Sequence, residues 1–284
     1  MGDSGDGPSA VDRRPDRLTT SFSSAHVHEE VRWPVLTLLS LPFVCGCASI
    51  YIYRLLAMDQ AVLVGLMFLV FGLLSSMVMV LFVEQREVAL AASSVVLVQA
   101  LALVVMLLPS LSWMPLEHLP LLAVVAGAIV IHYRSVQLPV LRPRPLLLRS
   151  VMVVLLLPLG LALAEALFLG YRFFENFHIG RSTILMIPIM AAWGYLEEVL
   201  FRGIALRSSL PLLGRWRAIL FSASLGAVFM LFWGSLPYAF FAFFLGIVMG
   251  VLYLRSHSLM FVGTVHALTD TWMVVALLLL GVAG

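Results

Sequence analysis

Lysine is missing from this chain, and all 17 of its basic residues are arginine. We read that as compositional bias, without a mechanism attached. Charge of either sign is scarce, at 11% of 284 residues, against 62% hydrophobic residues and a mean hydropathy of +1.06. Few soluble domains look like this, and repeated apolar runs of about 20 residues mark a polytopic helical membrane protein. The net charge of +2 is too small to argue for a nucleic-acid partner. Cysteine is limited to Cys45 and Cys47, which sit one residue apart in an apolar run. That spacing cannot bridge comfortably, and no histidine nearby completes a metal set, so both read as small packing residues.

Apolar periodicity is also missing from the first 31 residues. "MGDSGDGPSAVDRRPDRLTTSFSSAHVHEE" is polar and rich in Gly, Pro and Ser, and reads as a disordered tail over residues 1–31. A cleavable signal peptide is not expected, because about 30 polar residues precede the first apolar run. Gly2 does not make a myristoylation site, since "MGDSGD" lacks Ser or Thr at position 6. No internal repeat is visible.

What is present is a series of apolar segments. Nine can be drawn, near residues 34–53, 60–83, 88–108, 119–133, 149–169, 183–205, 216–233, 237–254 and 259–281. The fold expected is all-α, a polytopic helical membrane protein with about eight or nine transmembrane helices. The fourth segment is short enough to be tilted, re-entrant or interfacial. "LRPRPLLLR" (141–149) is the clearest hinge. With the N-terminus in the cytoplasm, thirteen arginines of loops and tail fall on the cytoplasmic side. Only Arg54, Arg172 and Arg181 fall outside. Arg202 remains within a helix.

Arg202 belongs to "GYLEEVLFRGIAL" (194–206), which places Glu197, Glu198 and an arginine inside an apolar segment. An ionised side chain near the bilayer centre costs about 2.5–3.5 kcal/mol on insertion scales, so such residues face the bundle interior and mark function. On an α-helix Glu198 and Arg202 are four apart, about 40° around the axis, and can pair. Glu197 points about 100° away from Glu198 and about 140° from Arg202. The arginine can therefore neutralise one glutamate only. The other is left as a carboxylate able to act as a general base toward water. The plainer alternative is a buried salt bridge that fixes helix packing.

The last segment carries "TVHALTDTW", with His266 and Asp270 four apart on one face. An imidazole can donate to a developing oxyanion while Asp270 orients the ring or binds the same group. Alternatively the two simply satisfy each other. Two polar constellations on two membrane helices cost less around one shared cavity than apart. Glu165, in the fifth segment, is a further buried charge. It reads equally as a cavity residue, a partner for Arg172 or a packing polar group.

"EEVLFR" resembles the EExxxR motif of the CAAX-processing and bacteriocin-immunity (CPBP, Abi) membrane proteases, and "HALTD" resembles that family's closing HxxxN/D motif. The resemblance covers about residues 180–284; the earlier segments match only in hydrophobicity. It implies three parts: the tail, transmembrane helices of unknown role over 32–180, and a CAAX-protease-like core over 181–284. It also implies a glutamic-type intramembrane endopeptidase in a bacterial cell membrane, without cofactor or metal. Its substrate would be a membrane-bound peptide or protein within the lipid bilayer. In the family, the residue matching Glu197 activates water. Those matching Glu198 and Arg202 hold the site together, and those matching His266 and Asp270 stabilise the oxyanion.

One family feature is absent. An FxxxH-type motif usually sits on the intervening helix, with its histidine assisting the water. Here that helix is "WRAILFSASLGAVFMLFWG", with Phe229 or Met230 near the expected position. The chain's histidines are His26, His28, His118, His132, His178, His257 and His266. The absence leaves a second reading open, a catalytically impaired member acting as membrane adaptor or immunity protein. A proton-relaying transporter is a third reading, opposed by the lack of an inverted repeat. A metal hydrolase is a fourth, opposed by the lack of any HExxH-type spacing.

Overall fold

The computed structural model describes residues 40–52 (except 42 and 50), 59–82, 86–107, 123–131 (except 124), 148–169, 181–231 and 236–279. The tail over 1–31, most of the 141–149 hinge and Arg172 lie outside the described residues. Within them, no strand occurs. The helices are α1 (Asp59–Phe82), α2 (Arg86–Leu107), α3 (Leu148–Leu169) and α4 (Arg181–Glu198). A π-helical segment (Val199–Leu206) follows, then α5 (Arg207–Leu213), α6 (Arg215–Met230), α7 (Leu236–Ser256) and α8 (Leu259–Leu279). Residues 40–52 and 123–131 add two shorter helical pieces, in the first and fourth apolar segments.

Val62–Phe82, Leu236–Ser256 and Leu259–Ala276 are each long and apolar enough to cross a membrane, with mean hydropathies of 2.5, 2.0 and 1.4. At 1.5 Å per residue, a stretch of 21 residues spans about 31 Å, the thickness of a hydrocarbon core. The chain is an all-α membrane protein. Large apolar side chains of α1, Met67, Phe71, Leu81 and Phe82 among them, are exposed on the helix surface, as lipid contact requires.

Two features depart from the nine-segment reading. The sixth segment is one continuous helical rod, but its geometry changes from α to π after Glu198. It then continues into a short helix, α5, which hydrophobicity alone did not separate. Gly214 ends α5 with φ of 71°, a left-handed backbone that a side chain would strain. Its carbonyl accepts from Ala218 N at 3.0 Å and starts α6. The reversal between α7 and α8 is equally local. His257 takes a positive φ of 53°, and Ser258 Oγ accepts from Phe261 N at 3.1 Å, capping α8.

Packing places α8 against both α4 and α3, and α6 lengthwise against α7, while α1 lies on α2 and α2 reaches α5. Small residues set these distances. A Cβ on Gly246 of α7 would stand 2.9 Å from the backbone of Ala223 on α6. Close approach through small residues is how helices associate where lipid offers no hydrophobic drive. The α4–α8 contact is the one that matters chemically, because each helix carries one of the two polar motifs.

Candidate active site

The α4 rod delivers its charges where the helix widens. Glu197 and Glu198 are the last two residues of α4, and Arg202 lies within the π segment. A π turn shifts carbonyls out of α register, and such turns recur at functional sites. One carbonyl of this segment is taken by a neighbour: Ser222 Oγ on α6 donates to Phe201 O at 2.6 Å. The expected pair survives the widening, with Arg202 Nη1 3.0 Å from Glu198 Oε1. Arg202 Nη2 also donates to Gly246 O at 3.1 Å, tying the guanidinium to α7. Both members of the pair are buried.

His266 on α8 meets the same glutamate. Its Nδ1 is 2.7 Å from Glu198 Oε1, so one carboxylate oxygen serves both the guanidinium and the imidazole. A carboxylate paired with arginine only accepts, so the proton of the imidazole contact sits on Nδ1. Nε2 then faces Glu197 Oε2 at 3.8 Å and Asp270 Oδ1 at 3.6 Å, both beyond direct hydrogen bonding. Asp270 is buried on the α4 side of α8. Its Oδ2 lies 2.5 Å from where a Cβ on Gly194 would stand, so only glycine leaves it room.

A small cavity of about 20 Å³, room for a water, opens over these groups. Glu197, Arg202 and His266 line it, together with Ser222 and Met230 of α6 and Tyr238 of α7. Glu197 keeps 21% of its side chain exposed there, while Glu198 has none. All five residues singled out from the two motifs therefore come together. Glu197, Arg202 and His266 face the cavity, whereas Glu198 and Asp270 stand behind as partners of His266.

The intervening helix supplies no acid or base to this cavity. Ser222, Gly226 and Met230, at four-residue steps along α6, form its wall. Of the two positions matched to the absent histidine, Met230 faces the cavity. Phe229 packs edge-on against Phe201, with ring centroids 6.2 Å apart. Sequence reasoning missed Ser222 and Tyr238. A lone serine in "FSAS" is a weak signal, and Tyr238 is drawn in by a partner 73 positions away. Its hydroxyl donates to Glu165 Oε1 on α3 at 3.0 Å.

No curated protein and no solved structure matches the chain. Residues 179–272, from the start of α4 to the middle of α8, match the family model described as type II CAAX prenyl endopeptidase Rce1-like. Over that stretch, which carries both the "EEVLFR" and "HALTD" motifs, the chain is similar to the CAAX-processing and bacteriocin-immunity family of membrane enzymes.

Proposed function

We propose that this chain is a glutamic-type intramembrane endopeptidase that cleaves a membrane-anchored peptide or protein tail with water activated by Glu197. The observation that carries this reading is the division of labour between adjacent carboxylates. Glu198 is fully buried and committed to Arg202 and His266, whereas Glu197 faces the cavity and has no comparably short contact. A carboxylate placed in this way takes a proton from water as the oxygen attacks the scissile carbonyl carbon. The carbonyl electrons move to oxygen. His266 is anchored through Nδ1, so its Nε2 is the ring atom left to face that oxyanion, to which it donates as imidazolium. Asp270, 3.6 Å from Nε2, places a further carboxyl beside the ring. When the intermediate collapses, the C–N bond breaks and Glu197 returns its proton to the leaving amine.

Arg202 and Glu198 serve this chemistry indirectly. They fix the imidazole, since preorganised donors are what an oxyanion site requires. The proposed topology keeps the N-terminus and the 134–149 loop on the cytoplasmic side, following the arginine distribution. The family description makes a prenylated CAAX-type peptide the first substrate to offer.

The test is cleavage of membrane-anchored peptides by the full chain in proteoliposomes. Glu197→Gln should reduce turnover by at least about 10²-fold, the usual worth of a positioned general base. Full activity in that variant would sink the glutamic mechanism. One observation favours a second reading. Met230 stands in the cavity wall where the family usually places a proton acceptor. A non-catalytic member would grip the same peptide and release it uncut, which the same assay shows as binding without product.

A further inference from the structure

The two ends of the helices that build the site differ in charge. One end carries Arg207 at the start of α5, Arg215 and Arg217 at the start of α6, and Arg255 at the end of α7. In sequence the other ends of α4, α6, α7 and α8, with the α3–α4 loop, hold two arginines, Arg172 and Arg181. Glycine contacts fix the heights between them. A Cβ on Gly250 would meet Ile219 and Leu206, while one on Gly246 would meet Ala223 and lie 3.4 Å from Arg202 Nη2. From the arginine end inward, the first level is Ile219, Gly250 and Leu206. The next is Ala223, Gly246 and Arg202. Glu197 lies deeper still, because α4 and the π segment run toward the arginine end.

The packing is as uneven as the charge. Between the arginines and the site, Leu206, Ile219, Met249 and Tyr253 are each at most 1% exposed, and every residue from Leu200 to Ser209 is buried. The cavity runs the other way. Its walls extend from Ser222 to Met230, the last residue of α6, and from Gly246 back to Tyr238 near the start of α7. At 1.5 Å per residue, Ser222 and Met230 lie about 10 and 22 Å along α6 from Arg215, so the cavity occupies the middle and far part of a core about 30 Å thick. A peptide arriving from the arginine end would have to part a close-packed apolar layer and leave its own backbone groups unsatisfied there.

Arginine-rich ends face the cytoplasm. We infer that the site takes its substrate from the non-cytoplasmic side, past the Met230–Tyr238 end of the α6–α7 pair. The substrate class is then a membrane-tethered polypeptide whose scissile bond has been carried out of the cytoplasm. This rests on the peptidase reading and on the topology proposed with it.

The experiment uses the full chain in spheroplasts and in inside-out vesicles, with a small membrane-impermeant thiosulfonate as the probe. Met230→Cys and Ala242→Cys put a thiol in the cavity wall, and Arg255→Cys puts one at the exposed arginine end. The parent chain, with Cys45 and Cys47, sets the background. Either cavity thiol should be labelled in spheroplasts and not in inside-out vesicles, and Arg255→Cys should show the reverse. Cavity labelling from the cytoplasmic side, or from neither side, overturns the inference, as does labelling of Arg255→Cys from outside. Turnover is read separately. A farnesylated CAAX-type peptide is added to the outer leaflet of proteoliposomes, and its cleavage should follow the share of chains whose Arg255→Cys is shielded from the reagent. Cleavage that follows the opposite share overturns the inference and keeps the peptidase reading. Sided labelling as expected, without cleavage in either orientation, sinks the peptidase reading and keeps the direction of opening.

Discussion

Replacing Glu198 by alanine is expected to cost about 3–5 kcal/mol of stability, while Glu197→Gln costs less than about 1 kcal/mol. The asymmetry follows from what each carboxylate holds. Glu198 Oε1 is 3.0 Å from Arg202 Nη1 and 2.7 Å from His266 Nδ1. Its loss strands a guanidinium that is 4% exposed and has one remaining backbone acceptor, Gly246 O. Breaking a buried pair by removing one partner typically costs about 3–5 kcal/mol, because the other charge is left uncompensated. Among the described residues Glu197 has the 3.8 Å approach to His266 as its one close polar contact and is 21% exposed, so changing it disturbs little. Removing both charges with Glu198→Gln and Arg202→Gln should recover part of the loss, giving a favourable coupling in a double-mutant cycle. The assay is reversible unfolding in mixed micelles followed by circular dichroism, with cleavage measured on the same preparations. Glu198→Gln should lower both stability and turnover, since the amide oxygen can still accept from the imidazole but the buried guanidinium loses its counter-charge, whereas Glu197→Gln should lower turnover alone. Equal destabilisation by the two single variants, or a more severe loss from Glu197→Gln, would refute the reasoning.

Gly194→Ala should destabilise the chain by about 1–3 kcal/mol and reduce turnover, because its Cβ would lie 2.5 Å from Asp270 Oδ2 and push α8 from α4; unchanged unfolding and activity would remove that contact from the account. Met230→His places an imidazole in the cavity wall and should raise cleavage, by up to about 10²–10⁴-fold if proton acceptance limits the rate. A flat rate would show that the site does not lack this group. A reporter fused after residue 145 should be active on the cytoplasmic side, as the arginine distribution requires, and activity only on the outer side would overturn the topology.

The parts of this molecule that were legible in the sequence are those set by local chemistry. Apolar runs had to become helices because lipid cannot satisfy an open backbone, so the segments near 60–83, 88–108, 149–169 and 259–281 coincide with α1, α2, α3 and α8 within a few residues. The four-residue spacing of Glu198 and Arg202 was enough to foresee their pairing, because side chains four apart share a helix face. The π register that carries Arg202 was not legible. Within it Ser222, from another helix, takes the Phe201 carbonyl, a contact that no local spacing announces. The short α5 was hidden for a similar reason: its end is made by one glycine with positive φ, in a stretch whose composition matches its neighbours.

Contacts across the bundle were illegible in kind. The two motifs suggested that His266 would pair with Asp270, its neighbour on the same face. Instead its shortest contact is Glu198, 68 positions away, and Asp270 Oδ1 stands 3.6 Å from Nε2. Intrahelical spacing says which side chains can meet, and the α4–α8 interface decides which do. Glu165 also has a contact that the sequence did not show, while Arg172, one of the partners it left open, lies outside the described residues. That contact is Tyr238 of α7, which lines the cavity. A bond from α3 to a residue in the cavity wall ties one of the earlier helices to the site.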